Sequence, residues 1–508
     1  MASPYGPGRP AGYTDSVILR APSLVGFFLV VVISVIAGPV AAAATADYVI
    51  AVALDPLTHR LEGSERIRWT NTAEVPTDEL YFHLYLNAFA GSETTFMREV
   101  AESPLRWFSG SAGDRGWTRI TSIELGDGLD LLPALEFVRP DDGNPHDFTV
   151  ARVALPREIR PGEVIELDVE FEARLPWIAA RTGHTGDFHL VAQWFPKLGV
   201  FEGEAGWNCH QFHATSEFYA DFGSYEVTMT IPEGWVLGAT GVEMGRAPAA
   251  NGRQSVTHLA QRVHDFAWCT APPELMEVVE SDFDPGRDVP MAWLDRARSL
   301  LEMSPADLEL PPMQIRLLVP RTRRSLADRM VRAARLSIAW YGLRFGAYPY
   351  PWLTVVSPPR GAGAAGGMEY PNFITTGTGN LVAFPPFSRS PGIEAVTVHE
   401  FGHQYFQGML ASNESEEAWL DEGVTSYTEV ECMTAIASDG VVPEIRMTDF
   451  WGGERLALAF PQVPMTAARK PWEHRRRWAY YLASYQKSAV AMKTVEGLIG
   501  PETMARGL

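Results

Sequence analysis

The chain has 508 residues, 46 % hydrophobic and 20 % charged, a globular balance that excludes collagen-like, coiled-coil and wholly disordered proteins and, at roughly 100 to 200 residues per domain, allows about two to four domains. Lys+Arg number 42 against Asp+Glu 62, and the resulting charge of −20 repels phosphate backbones, so nucleic acid is not an expected partner. Three cysteines, Cys209, Cys269 and Cys432, are too few for a disulfide scaffold, match no zinc knuckle or redox pair, and allow at most one bridge.

Arg9 and Arg20 precede an uncharged apolar run of 14 residues, Leu24 to Ala37, which Gly38 and Pro39 break before the small residues Ala41 to Ala46. This order of basic region, apolar core, breaker and A-x-A site is the build of a secretory signal peptide, and 14 residues fall short of the roughly 20 that span a bilayer. The alternative is an uncleaved anchor, because the uncharged stretch from Ala21 to Thr45 holds 25 residues. Residues 1–46 therefore predict export, periplasmic or extracellular, or attachment to a membrane.

From 47 to 272 the chain runs in short alternating or β-branched segments parted by Gly, Pro and Asp, such as DYVIAVALD, GSERIRWTN, HDFTVARVALP, GEVIELDVEFEARL and GSYEVTMTIP. Strands without helices between them predict an antiparallel β domain. Residues 273–508 change texture. MQIRLLVP and WLTVV read as strands, SLADRMVRAARLSIAWYGL carries apolar residues at helical spacing, and two helices are expected from about Pro391 and Glu417, the first with Ser390 as N-cap and Pro391 at its first position.

The segment V-T-V-H-E-F-G-H-Q-Y-F sets His399 and His403 four apart, on one face of a helix, where two imidazoles can converge on one cation while Glu400 holds the water. Hydrolytic zinc sites commonly take two histidines and a carboxylate and keep a fourth position open. Glu422 lies eighteen intervening residues beyond His403, in W-L-D-E-G, at the start of a second helix that can bring its carboxylate to the same ion.

HExxH, eighteen residues and E in a WLxEG setting resemble the signature of the aminopeptidase N family of gluzincin zinc metallopeptidases, as do the opening Y-x-I-x-V-x-L-D-P and the later R-F-G-A-Y-P-Y-P. A-Q-W-F-P-K and G-W-N-C-H-Q-F-H look like a bacterial branch of it. The resemblance implies a thermolysin-like catalytic domain behind the β domain, one Zn2+ per chain, and peptide substrates with a free N-terminus. Gly366-Gly367-Met368-Glu369-Tyr370 is similar to the family's G-x-M-E-N element, an edge strand beside the substrate whose Glu receives the terminal ammonium; here Tyr370 replaces Asn and Pro371 follows. Tyr485-Gln486-Lys487-Ser488-Ala489 resembles Y-x-K-G-A, which makes Tyr485 the donor to the tetrahedral oxyanion, with Ser488 in place of Gly. Gln193 in A-Q-W-F-P-K matches a β-domain glutamine that helps hold the substrate amine.

Three other patterns are set aside. Gly361 to Gly366 fits G-x-G-x-x-G but leads into M-E-Y-P-N-F and not into a helix, so it cradles no phosphate. Cys209, His210 and His213 lie on what reads as a strand, where i and i+3 face opposite ways. Arg475, Arg476 and Arg477 form a basic cluster ahead of Tyr485 that reads as solvated surface, with a peptide carboxylate as the alternative.

The expectation is thus an α+β multidomain zinc aminopeptidase in which His399, His403 and Glu422 hold the metal, Glu400 is the general base, Tyr485 stabilises the oxyanion and Glu369, with Gly366, Gly367, Met368 and Gln193, binds the substrate. Epoxide hydrolysis on the same scaffold, or a catalytically silent peptide-binding protein, are the alternatives. Relatives continue into a helical domain, whereas this chain stops 23 residues after Tyr485, so it is either a fragment or has an open site. Nothing in the sequence bears on oligomeric state.

Overall fold

The computed structural model describes residues 45–102, 115–302, 304–377, 390–440, 451, 466–474 and 476–508. The apolar run behind the signal-peptide or anchor reading lies outside them, as does Arg475. Among the described residues no helix is long and apolar enough to cross a membrane.

Strict alternation builds the N-terminal part. In Val164–Arg174 every second side chain is buried, as a strand with one wet face requires. It belongs to a seven-stranded sheet in the order Val242–Ala249, Arg253–Val263, Gly223–Pro232, Ala46–Asp55, Arg60–Thr70, Val164–Arg174, Trp117–Leu125. All neighbours are antiparallel except Ala46–Asp55 with Gly223–Pro232. Two four-stranded sheets follow, one centred on Thr77–His83 and Val150–Ile159, the other on Trp268–Ala271 and Phe188–Val191. Aromatic rings fill the space between them: Tyr48 stacks on Tyr225 at 4.8 Å, and Trp194 meets Phe195 and Trp268 edge-on. The same apolar core takes in Met368, Tyr370 and Phe373, so the β domain directly supports the segment that carries Glu369.

Past Ala271 the sheet changes. Met276–Phe283 pairs antiparallel with Met313–Pro320, and Trp352–Val356 and Phe373–Thr375 add in parallel. The long helix Ala327–Phe345 makes the crossover from Met313–Pro320 to its parallel neighbour Trp352–Val356, as parallel pairing demands. Its buried face, including Met330, Ala334, Ile338 and Tyr341, packs in one core with Ile393, Val398 and Phe401 of the helix Gly392–Gly402 and with Cys432, Met433 and Ile436 of the helix Val424–Ser438. This is an α+β fold with its β-rich layers first and a helix-bearing part second.

Two local expectations change. The helix begins at Gly392, with Pro391 in the cap position and no side-chain cap bond, so Ser390 does not close it. Gly366 to Tyr370 is not a regular edge strand: only Met368 bridges Thr375, with bonds of 2.8 and 3.4 Å, because Gly367 turns into the left-handed region at φ +75°. All three cysteines are free and buried.

Candidate metal centre and substrate cleft

His399 sits on the last turn of the helix Gly392–Gly402 and His403 caps its C-terminal end, while Glu422 arrives on a π-helical turn, Trp419–Gly423, that leads into Val424–Ser438. Wide turns of this kind recur at functional sites because they re-aim one side chain. Close approach makes the junction possible. A Cβ on Gly402 would lie 2.4 Å from the Tyr341 hydroxyl, and one on Gly423 would lie 2.3 Å from Cβ of Ser488.

Nε2 of His399 is 3.1 Å from Oε2 of Glu422, Nε2 of His403 is 3.3 Å from the same oxygen, and the two nitrogens are 3.2 Å apart. A tetrahedral zinc bound at about 2.0 to 2.1 Å requires ligand atoms about 3.3 Å apart. The triangle fits the ion in size and in donor chemistry. The other ring nitrogens are engaged: Nδ1 of His403 is 2.5 Å from Oδ1 of Asp421, and Nδ1 of His399 is 3.1 Å from Oε2 of Glu429. Carboxylates there place the N–H at Nδ1 and turn the Nε2 lone pairs inward. Against burial, which disfavours imidazolium, Asp421 and Glu422 lift His403 well above the ordinary histidine value, and Glu422 and Glu429 lift His399. Burial likewise opposes ionisation of Glu422, yet His403 and His399 hold it well below the usual carboxylate range.

Glu400 is 5 % exposed and lines a cleft of about 750 Å3 together with His399, His403, Glu422, Glu369 and Tyr485. Burial pushes Glu400 up to about 7 and Glu369 up to about 8, against the pull of the two histidines on the first and of His403 and Arg181 on the second. Both sit where a proton or a cation is readily taken up. Tyr485, on a second π-helical turn, Leu482–Lys487, donates its hydroxyl to Oε1 of Glu422 and stacks on His399. Its OH therefore reaches the metal site. Ser488 meets Gly423 at the crossing, so the glycine that the tyrosine motif lacks stands on the facing turn.

Two expected substrate residues lie elsewhere. Gln193, at φ +52° and 2 % exposed, donates to Asp265 at 2.6 Å and accepts from Lys197 at 3.0 Å, inside a buried Gln193–Lys197–Asp265 knot and not among the residues lining the cleft. Lys197 needs that partner set once it is buried, and this takes up the carboxamide. Met368 turns its side chain into the β-domain core, while Gly366 and Gly367 line the cleft. His210 and His213 share Asp141, at 2.6 and 3.3 Å, and His213 also lines the cleft.

Sequence reasoning missed four acids and one base. Asp421 and Glu429 were legible in principle, as the neighbour of Glu422 and as the residue two turns on. Glu414 carried no signal; it, Glu369 and Asp421 bring one carboxylate oxygen each within 4.8 Å. Glu217 and Arg181, paired at the cleft wall, come from loops with no motif.

Residues 332–508 match the family model described as the peptidase family M1 domain. A comparison with curated proteins finds no match. Among solved structures, the chain is similar to an M1 zinc metallopeptidase from Deinococcus radiodurans at 16 % identity and TM-score 0.53, over 91 % of this chain and 85 % of that one. It is also similar to a mutant form of the Deinococcus radiodurans enzyme bound to the substrate Tyr-Ser-Ala, at 17 % identity and TM-score 0.52, over 91 % and 84 %. A two-domain M1 zinc metallopeptidase mutant bound to L-tryptophan matches at 16 % identity and TM-score 0.53, over 91 % and 85 %. Residues 332–508 thus carry the match to the peptidase family M1 domain, behind a β-rich N-terminal part, in a fold similar to that of a two-domain M1 zinc metallopeptidase.

Proposed function

We propose that the protein is a zinc-dependent aminopeptidase that removes N-terminal residues from peptides, with one zinc held by His399, His403 and Glu422. The observation that carries the reading is the presence of Glu369 in the same cleft as the ligand triangle and Glu400. When bound, zinc supplies Lewis acidity and lowers the pKa of water. Glu400 takes the proton from the attacking water and delivers it to the leaving amine, a task suited to a carboxylate that burial has lifted to about 7. The Tyr485 hydroxyl donates to the carbonyl oxygen as charge develops there. Glu369 receives the α-ammonium and so sets which peptide bond meets Glu400.

The apolar run Leu24 to Ala37 and the alanines after it support export, with a mature N-terminus between Ala44 and Asp47, which N-terminal sequencing of the secreted protein tests.

A panel of aminoacyl reporter substrates beside N-acetylated controls tests the activity. Free-amine substrates should be cleaved and acetylated ones should not, and Glu369→Gln should raise KM and lower kcat with zinc retained. Equal cleavage of both kinds of substrate would remove Glu369 from its role.

A further inference from the structure

Arg181 enters the cleft from the β domain in a conformation that few residues adopt. Its φ is +76° and that of Ala180 is +33°, both left-handed and neither glycine. Strained backbone of this kind persists where the surroundings over-determine it, and it clusters at functional sites. Here the over-determination is explicit. The Arg181 N–H donates to the Ala364 carbonyl at 2.9 Å, and its own carbonyl accepts from the Tyr370 hydroxyl at 2.9 Å. Its guanidinium grips Glu217 with two donors, Nη1 to Oε2 and Nη2 to Oε1, and packs over the Phe218 ring at 5.9 Å. Glu217, whose side chain is 1 % exposed, is itself held by the Tyr480 hydroxyl at 2.9 Å, and its carbonyl accepts from Ser415 at 3.1 Å.

A guanidinium has five N–H donors, of which the Glu217 fork uses two. The side chain keeps 21 % exposure and lines the cleft with Glu369, Glu400 and Tyr485, all of which its charge reaches. A mobile surface arginine would give little to a reaction. One pinned by its backbone, by a buried carboxylate and by an aromatic face is a preorganised donor, which needs no reorganisation when charge appears.

We propose that Arg181 is a further catalytic residue, whose guanidinium donates to the carbonyl oxygen of the scissile bond beside Tyr485 as negative charge gathers there; this rests on the aminopeptidase reading. The Glu217–Tyr480 pair is its positioning support. It holds the guanidinium from behind and ties it to the turn that carries Tyr485, whose ring meets Tyr480 edge-on at 5.9 Å.

The test compares zinc-loaded wild type, Arg181→Gln and Arg181→Lys in three measurements: kcat and KM on a free-amine reporter, the Kd of a phosphinic dipeptide with a tetrahedral anionic centre, and a thermal melt. Arg181→Gln should lower kcat about 100-fold, leave KM nearly unchanged, and weaken the phosphinate by a similar factor. Arg181→Lys keeps a cation for Glu217 and so preserves the fold, but loses the fork, and should lose roughly 10-fold in kcat and in phosphinate affinity. Phosphinate affinity equal to wild type in Arg181→Lys, or a loss confined to KM, overturns the proposal, and if Arg181→Gln unfolds the lysine variant alone decides. A wild type that neither cleaves the reporter nor binds the phosphinate overturns the aminopeptidase reading and this inference with it.

Discussion

Nδ1 of His403 lies 2.5 Å from Oδ1 of Asp421, and neither side chain has more than 1 % exposure. The carboxylate decides which nitrogen carries the proton, so it prepares the Nε2 lone pair before any ion arrives. Asp421→Ala should weaken zinc binding about 10 to 100-fold, read as zinc retained across a chelator series. Glu429, the equivalent partner of His399, is 25 % exposed, where water can take over its role. Glu429→Ala should therefore cost less zinc than Asp421→Ala, and the reverse order would show that burial does not govern the pair.

Zinc affinity should fall steeply toward acid pH. Asp421, Glu422 and Glu429 raise both histidines well above their ordinary value despite burial, so the zinc-free site holds protons that the metal must displace. Because protons compete, affinity rises with pH. Competition titrations at pH 6, 7 and 8 check it, and a flat profile would contradict the coupling.

Tyr485→Phe should depress kcat about 100 to 1000-fold with little change in KM, zinc content or melting temperature, since the lost donor acts when charge develops. Tyr480 serves as the contrast. Its hydroxyl satisfies the buried Glu217 that positions Arg181, so Tyr480→Phe should cost about 1 to 3 kcal/mol of stability, with a kcat loss smaller than that of Tyr485→Phe. Tyr481, 48 % exposed, should tolerate Phe with neither effect. A large kcat loss in Tyr481→Phe alone would misplace the catalytic hydroxyl.

Gly423→Ala should destabilise the metal centre. The added methyl would meet Ser488 Cβ at 2.3 Å and the Ser484 carbonyl at 2.9 Å, and overpacking of this kind costs about 1 to 3 kcal/mol. The two turns that must separate carry Glu422 and Tyr485, so zinc retention and kcat should fall together. Adding Ser488→Gly should recover part of the loss, since one of the two clashes is with backbone.

His213 should give a pH signature unrelated to zinc. Against burial, the hydrogen bonds that its ring donates to Asp141 and Glu99 raise it from 6.5 to about 9. A folded-state value above the unfolded one means stability that is complete below pH 6.5 and lost as pH rises through about 9, at most about 3 kcal/mol. His213→Gln should thus lower the melting temperature most near pH 6. Above pH 9 the gap should shrink to what the lost stacking on Trp472, at 4.7 Å, is worth.

The strands and helices were legible because their periodicity is local. MQIRLLVP and WLTVV are strands over the lengths that their β-branched and apolar runs suggest, and the helix Ala327–Phe345 follows its apolar spacing. Boundaries set by tertiary contacts were not. Residues 366–370 were expected to form a strand, but they make one bridge, because Gly367 turns and the β-domain core draws in Met368.

At the site the division is the same. Spacing by itself put His399 and His403 on one helix face, since residues four apart stack, and gave Glu400 its place beside them. Whether Glu422 reaches them depends on a π-helical turn and on Gly423 meeting Ser488, which no local pattern encodes. Gln193 read as a clamp because its flanks resemble one, yet the burial of Lys197 takes its carboxamide into the core. Arg181, Glu217 and Glu414 could not be read at all: Arg181 meets Glu217 at the cleft wall and Glu414 meets Glu369 across tens of residues, and only tertiary packing brings such charges together in a low-dielectric setting.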